Sequence, residues 1–200
     1  MEGVGVGKYD PWEKVADLNV AREIVLTGWG SKTDKLPSDD WLFDQFNGWG
    51  GRVLDFGCGV GRNIVALSKR NHEVVGFDFP SMIQLLGKEK GSLPSNVRLE
   101  TDWEKVKAER FDVTVATLVF QHIHQADLWL YLEDLISMTR SICIHSRVRD
   151  DFAGPRIPDI LRPRWKFAKV FYPANGTLDD VLRMGPEDHF SAKLEPKAGG

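Results

Sequence analysis

The chain of 200 residues is poor in the groups that announce many functions: it has two cysteines, five histidines and three tyrosines. Cys58 and Cys143 are too few for a disulfide framework, and they share no metal-ligand spacing with each other or with the histidines. Both are expected as reduced thiols, and no metal site is expected. No run approaches the roughly 20 apolar residues of a membrane span, and the opening MEGVGVGKYDPW lacks the basic start and apolar centre of a secretory signal. The expectation is a soluble, cytoplasmic chain. Basic charge is not in excess either, with 26 Lys and Arg against 29 Asp and Glu, a formal charge of -3, so no global field favours nucleic acid. Repeats and low-complexity segments are missing, apart from the small, polar end EPKAGG.

What is present is 42% hydrophobic content with ten scattered prolines, enough chain for one domain with a full core. The middle alternates between short apolar runs and helical patterns. RVLDF (52–56), EVVGFD (73–78), NVRLE (96–100), FDVTVATLVF (111–120) and SICIHS (141–146) read as strands. GRNIVALSKR (61–70) reads as a helix with Ile64, Val65 and Leu67 toward a sheet and Asn71 as a left-handed cap. A helix from Pro80 to Gly87 and another over 127–138 follow. Such alternation predicts a doubly wound, mostly parallel α/β sheet, with helices on both faces and ligands at the strands' carboxyl ends. AREIVL (21–26) and DDWLFDQF (39–46) read as helices of an N-terminal cap or lid. The expected division of the single domain is thus a cap over 1–49, a ligand-binding core over 50–146 and an acceptor-side region over 147–200. The last region holds a helix (177–184) and a strand (189–195). A further strand either is missing or lies in RWKFAKVFY (164–172).

The stretch VLDFGCGVGRN (53–63) joins a strand to a helix N-terminus through Gly57, Gly59 and Gly61, where backbone N–H groups face a ligand and absent Cβ atoms allow its approach. A dinucleotide fingerprint needs a third glycine at position 62, which is Arg62. A phosphate loop needs Lys followed by Ser or Thr, and neither follows Gly61. What remains is an acid, Asp55, two residues before the first glycine, and a carboxylate there favours a cationic ligand over a pyrophosphate.

Asp55, Gly57, Gly59 and Gly61 resemble motif I of the class I, Rossmann-like S-adenosylmethionine-dependent methyltransferases, whose ligand carries an ammonium and a sulfonium. The resemblance covers roughly residues 50–146 and implies further cofactor contacts. Cys58 lies within the turn. Asp78, 23 positions after Asp55, is implied to accept both ribose hydroxyls, with Phe79 against the adenine and Met82 beside it. Asp102 and Trp103 are similar to the family's adenine pocket, as acid and ring platform. Thr117 and Leu118 fall in ATLVFQHI (116–123), similar to the pattern closing the fourth strand. Tyr9 resembles a Tyr-Asp element that in some relatives closes over the methionine end.

The resemblance implies methyl transfer from S-adenosylmethionine, with S-adenosylhomocysteine as product, to a small-molecule acceptor. His122 and His124 sit where the acceptor should enter and are candidates for proton removal or for holding the loop. The Asn/Asp-Pro-Pro-aromatic motif of nucleobase amino-methyltransferases is absent, which disfavours a DNA acceptor and leaves RNA and protein acceptors open. Arg147, Arg149, Arg156, Arg162, Arg164, Lys166 and Lys169 form either a solvated loop or an attraction for an anionic acceptor. Two alternatives stay open: a noncatalytic S-adenosylmethionine-binding partner, and an NAD(P)-dependent oxidoreductase, disfavoured by Arg62. The expected strand order, 3-2-1-4-5, sets strand four between Cys58 and Cys143, about 9 to 10 Å apart and beyond disulfide reach.

Overall fold

A computed structural model describes residues 17, 19–21, 38–149 and 154–197. The expected sheet is present and is longer by a hairpin. Seven strands run β1 (Arg52–Phe56), β2 (Glu73–Phe77), β3 (Val97–Glu100), β4 (Phe111–Thr117), β5 (Thr139–Arg147), β6 (Trp165–Tyr172) and β7 (His189–Pro196) along the chain. In space their order is β3-β2-β1-β4-β5-β7-β6. The first five are mutually parallel, and β7 lies antiparallel between β5 and β6. The segment 164–172 therefore does hide a strand. Its burial is irregular because it forms an exposed edge, and two register shifts interrupt its pairing with β7.

Two cores cover the two faces. On one, helix α1 (Asp40–Phe43), helix α2 (Ile64–Ser68) and helix α3 (Pro80–Lys90) pack Leu42, Phe43, Ile64 and Leu86 onto Val53, Val74, Val113 and Val115. On the other, helix α4 (Trp103–Lys107), helix α5 (Gln125–Met138), helix α6 (Ile157–Leu161) and helix α7 (Leu178–Arg183) pack Val106, Leu132, Leu135, Ile160 and Val181 onto Leu54, Val75, Ile142 and Ile144. Alternate residues of each parallel strand serve opposite faces, so these strands are apolar on both sides.

Several local expectations are corrected. Helix α2 spans only 64–68, and Val65 points outward, 38% exposed, while Ala66 takes the buried place. Asn71 is not left-handed: its side chain does the capping, Nδ2 donating to the Leu67 carbonyl at 2.9 Å and Oδ1 accepting from Gly50 N at 3.0 Å. Helix α3 passes through exposed Gly87 and stops at Gly91, φ +63°. Strand β4 ends at Thr117 rather than 120, because Leu118 turns left-handed at φ +56° and a 3-10 turn over Phe120–His122 follows. Of the N-terminal cap, residues 1–16, 18 and 22–37 lie outside the described residues, Tyr9 among them. Within the described part, Ala21 is fully buried against Val60, Met82 and Leu85. No helix among the described residues is long and apolar enough to cross a membrane.

Candidate active site

The glycine turn leaves β1 directly under the end of β2. Gly57 N and Cys58 N both donate to the Phe77 carbonyl, at 2.9 and 3.1 Å, which locks the two strand ends together. Gly57 has φ +71°, and a Cβ there would stand 2.3 Å from Val119 Cγ2. Gly61, at φ +75°, would meet Leu86 Cγ at 3.0 Å. Any side chain at these two positions would be strained by backbone and blocked by neighbours. Cys58 is buried, and burial together with Asp78 and Asp55 pushes its thiol well above the usual range; it is an inert filler of the turn.

Asp55 is 2% exposed at the end of β1, and its Oδ2 has no hydrogen-bond partner among the described residues. Burial raises its pKa to about 7 against the opposing pull of Arg62, while Asp39 and Asp78 push it further up. A buried acceptor without a donor is costly, by about 1 to 3 kcal/mol. A cationic ligand group above the turn would relieve it.

Asp78 is held by the turn it faces: Oδ2 accepts from Gly59 N at 2.6 Å and Oδ1 from Phe79 N at 2.7 Å. Phe79 is partly buried against Met82, Val60 and Ala21. The donor set therefore fits a nucleoside carrying positive charge.

Other expected positions have structural duties. Asp102 caps α4 by accepting from Glu104 N at 3.1 Å. Trp103 does not offer a free platform: its ring packs among Phe56, Phe77 and Tyr131, at centroid distances of 5.0 to 5.5 Å, and its Nε1 donates to Asp134 Oδ2 at 2.7 Å. His124 caps α5, its Nδ1 accepting from Ala126 N at 3.4 Å. His122 Nε2 lies 3.4 Å from Gln121 Nε2, and Gln121 Oε1 accepts from Arg147 N at 2.8 Å, tying the 3-10 turn to β5. Much of the basic run is similarly engaged. Arg156 donates to the carbonyls of Val181, Leu182 and Met184 at the end of α7, Arg162 pairs with Asp159, and Arg164 pairs with Glu133.

A polar cluster that the sequence did not reveal sits beside the turn. Asp39, with a fully buried side chain, pairs through Oδ2 with Arg62 Nη2 at 2.7 Å and accepts from Asn63 Nδ2 at 2.8 Å. Arg62 and Asn63 also donate to Thr117 Oγ1, at 3.0 and 2.9 Å. Next to Asp39 stands His145 on β5, and beyond it His189 at the start of β7. Asp39 and the two histidines had no local signal, since Asp39 opens what reads as an ordinary helix and both histidines lie in ordinary strands.

The fold is a Rossmann-like α/β sandwich whose glycine turn and terminal carboxylates suit a charged nucleoside. Residues 53–141 match the family model described as a methyltransferase domain. A ubiquinone biosynthesis O-methyltransferase of Bradyrhizobium diazoefficiens is 34% identical over 93 residues, 44% of this chain and 36% of that protein. The matched segment thus spans about a third of that relative's length. The fold is similar to a TehB-like methyltransferase of Corynebacterium glutamicum, with TM-score 0.61, 19% identity and coverage of 90% of this chain and 96% of that one. It is also similar to the N-methyltransferase NodS of Bradyrhizobium japonicum, with TM-score 0.54, 14% identity and coverage of 94% and 89%. Over residues 53–141 the chain is thus similar to a methyltransferase domain, and its fold is that of S-adenosylmethionine-dependent methyltransferases.

Proposed function

We propose that the chain transfers a methyl group from S-adenosylmethionine to a hydroxyl of a small molecule. The observation that carries the donor half is Asp55, a buried carboxylate beneath a glycine turn whose Oδ2 has no hydrogen-bond donor among the described residues, which calls for a cationic ligand and repels a pyrophosphate. When bound, that donor supplies an electrophilic methyl on a sulfonium, already a good leaving group. The chain's own residues bind, align and exclude water: Asp55 faces the ligand's positive charge, Gly57, Gly59 and Gly61 admit its backbone approach, and Asp78 accepts from its ribose. Phe79 and Met82 supply apolar surface beside the turn. The oxygen acceptor is supported by the O-methyltransferase relative.

Calorimetry with S-adenosylmethionine, S-adenosylhomocysteine and NAD tests the donor. The expected outcome is micromolar binding of the first two and none of NAD; NAD binding alone would return the oxidoreductase reading. Labelled methyl transfer to hydroxyl, amine and thiol acceptors tests the rest. Binding without transfer to any acceptor would favour a noncatalytic binding partner.

A further inference from the structure

Beyond the carboxyl ends of β4 and β5, side chains from the whole length of the chain meet on one face. Thr117 pairs in register with His145, Arg147 pairs with His189, and Asp55 pairs with Val115, two residues before Thr117. Register partners and residues two apart share a face. Asp55, Thr117, His145, Arg147 and His189 therefore line the same side of the sheet, the one covered by α1 and α2.

Asp39 Oδ1, fully buried and without a hydrogen bond among the described residues, lies 3.8 Å from His145 Nδ1. His145 Nε2 lies 3.3 Å from His189 Nδ1. The separation between Asp39 and His145 is longer than a hydrogen bond, so the carboxylate acts on the ring through its charge. That charge favours the proton of neutral His145 on Nδ1, which leaves Nε2 as the acceptor. His189 then donates through Nδ1–H, which leaves the lone pair of its ring on Nε2. Burial lowers the pKa of His145 to about 4, Asp39 opposing and His189 and Arg62 assisting. Burial and then Arg147 lower that of His189, against Asp188 and Glu187; Arg147 itself stands 3.5 Å from Glu187. Both imidazoles are therefore neutral at pH 7. Beside them the Trp41 ring, 38% exposed, meets His145 edge-on at 5.7 Å and offers an aromatic wall.

Building on the methyl-transfer reading above, we propose that His189 is a catalytic residue that takes the proton of a phenolic acceptor through Nε2, with His145 and Asp39 as positioning residues. A phenol suits this base because its hydroxyl ionises near 10, whereas an aliphatic hydroxyl is a far weaker acid. In the step, the carbon–oxygen bond forms as the carbon–sulfur bond breaks. Sulfur keeps the electron pair, and the hydroxyl proton passes to His189, which returns it to water.

The test uses the full chain. Binding of S-adenosylhomocysteine by calorimetry comes first, and its failure overturns the methyl-donor reading rather than the histidine geometry. Tritiated S-adenosylmethionine is then offered with pooled catechol, 4-hydroxybenzoate and 3,4-dihydroxybenzoate. Methylation is expected, with activity falling as pH drops below the His189 pKa. His189→Gln should lose about 100-fold in kcat with unchanged S-adenosylhomocysteine affinity, and should lose the acid limb of the profile. His145→Gln, whose amide oxygen can accept the same bond, should stay within about 5-fold, whereas His145→Leu should fall at least about 10-fold. Nitrogen-15 NMR of the wild-type chain should show His189 as the Nδ1–H tautomer, a readout that stands even where a variant fails to fold. Binding of S-adenosylhomocysteine with no methylation of any phenol overturns the proposal. So does His189→Gln with wild-type kcat and pH profile, or an Nε2–H tautomer for His189.

Discussion

The two ends of the site are built in opposite ways. Over β1 and β2 the groups facing the ligand come from one short stretch and its neighbour strand, they are mostly backbone, and the buried carboxylate, Asp55, has no hydrogen-bond donor for its Oδ2 among the described residues. Over β4, β5 and β7 they are side chains from residues 39, 62, 63, 117, 145 and 189, and the buried carboxylate, Asp39, is paired with Arg62 and Asn63. The first end is left unsatisfied for a ligand to complete. The second is a largely satisfied framework that holds its groups in place. Two aspartates, both buried, therefore have opposite consequences for stability.

The largest effect expected from this contrast is at Asp39. Asp39→Leu removes the 2.7 Å ion pair from Arg62, whose side chain is only 9% exposed, and should cost about 3 to 5 kcal/mol in urea unfolding. Loss of under 1 kcal/mol would erase the distinction between the two ends. Gly57→Ala places a methyl into Val119 and should cost about 1 to 3 kcal/mol, with loss of S-adenosylmethionine binding. Shortening Val119 to Ala in the same chain should restore part of the stability and none of the positive-φ strain.

Asp55→Asn should behave inversely to Asp39→Leu. The free protein should be as stable or more so at pH 8, because a desolvated charge is gone, while S-adenosylmethionine affinity should fall about 30-fold, or about 2 kcal/mol. Asp55→Asn with wild-type S-adenosylmethionine affinity would remove Asp55 from ligand recognition.

The pH dependence sharpens the same comparison. Asp55 has a folded pKa of about 7, above its ordinary value, so its contribution to stability is full below about 4 and is lost as pH rises through about 7. His145, lowered to about 4, contributes stability that is present above about 6.5 and lost as pH falls through about 4. Urea titrations of Asp55→Asn and His145→Gln from pH 4 to 8 should remove slopes of opposite sign. Since a cationic ligand favours ionised Asp55, S-adenosylmethionine affinity should rise with pH up to about 7 and level off above it, and Asp55→Asn should flatten that rise. The smallest effect belongs to His124→Ala, expected to cost α5 about 0.5 to 1 kcal/mol as a lost cap. A tenfold fall in methyl transfer without a change in stability would return His124 to proton transfer.

Legibility in the sequence followed the same division. The parallel strands were readable because each is apolar on both faces, and the glycine turn because its backbone needs exclude other residues. Strand β6 was ambiguous because an exposed, bulged edge has no clean alternation. Leu118 gave no warning of a left-handed conformation, since what holds it is a hydrogen bond from its N–H to the His145 carbonyl at 2.7 Å, 27 residues away. Trp103 read as a ligand platform because position beside an acid was all that sequence offered; the ring's partners, Phe56, Phe77 and Tyr131, come from three other elements.

By itself, then, the sequence determined the positions of the parallel strands, the turn over β1 and the class of ligand that turn admits, because those depend on residues within a few positions of one another. Tertiary structure alone decided which buried aspartate is paired with an arginine, and which histidines meet. Those outcomes depend on desolvation and on the approach of side chains about 150 residues apart, from Asp39 to His189, quantities that no local pattern encodes.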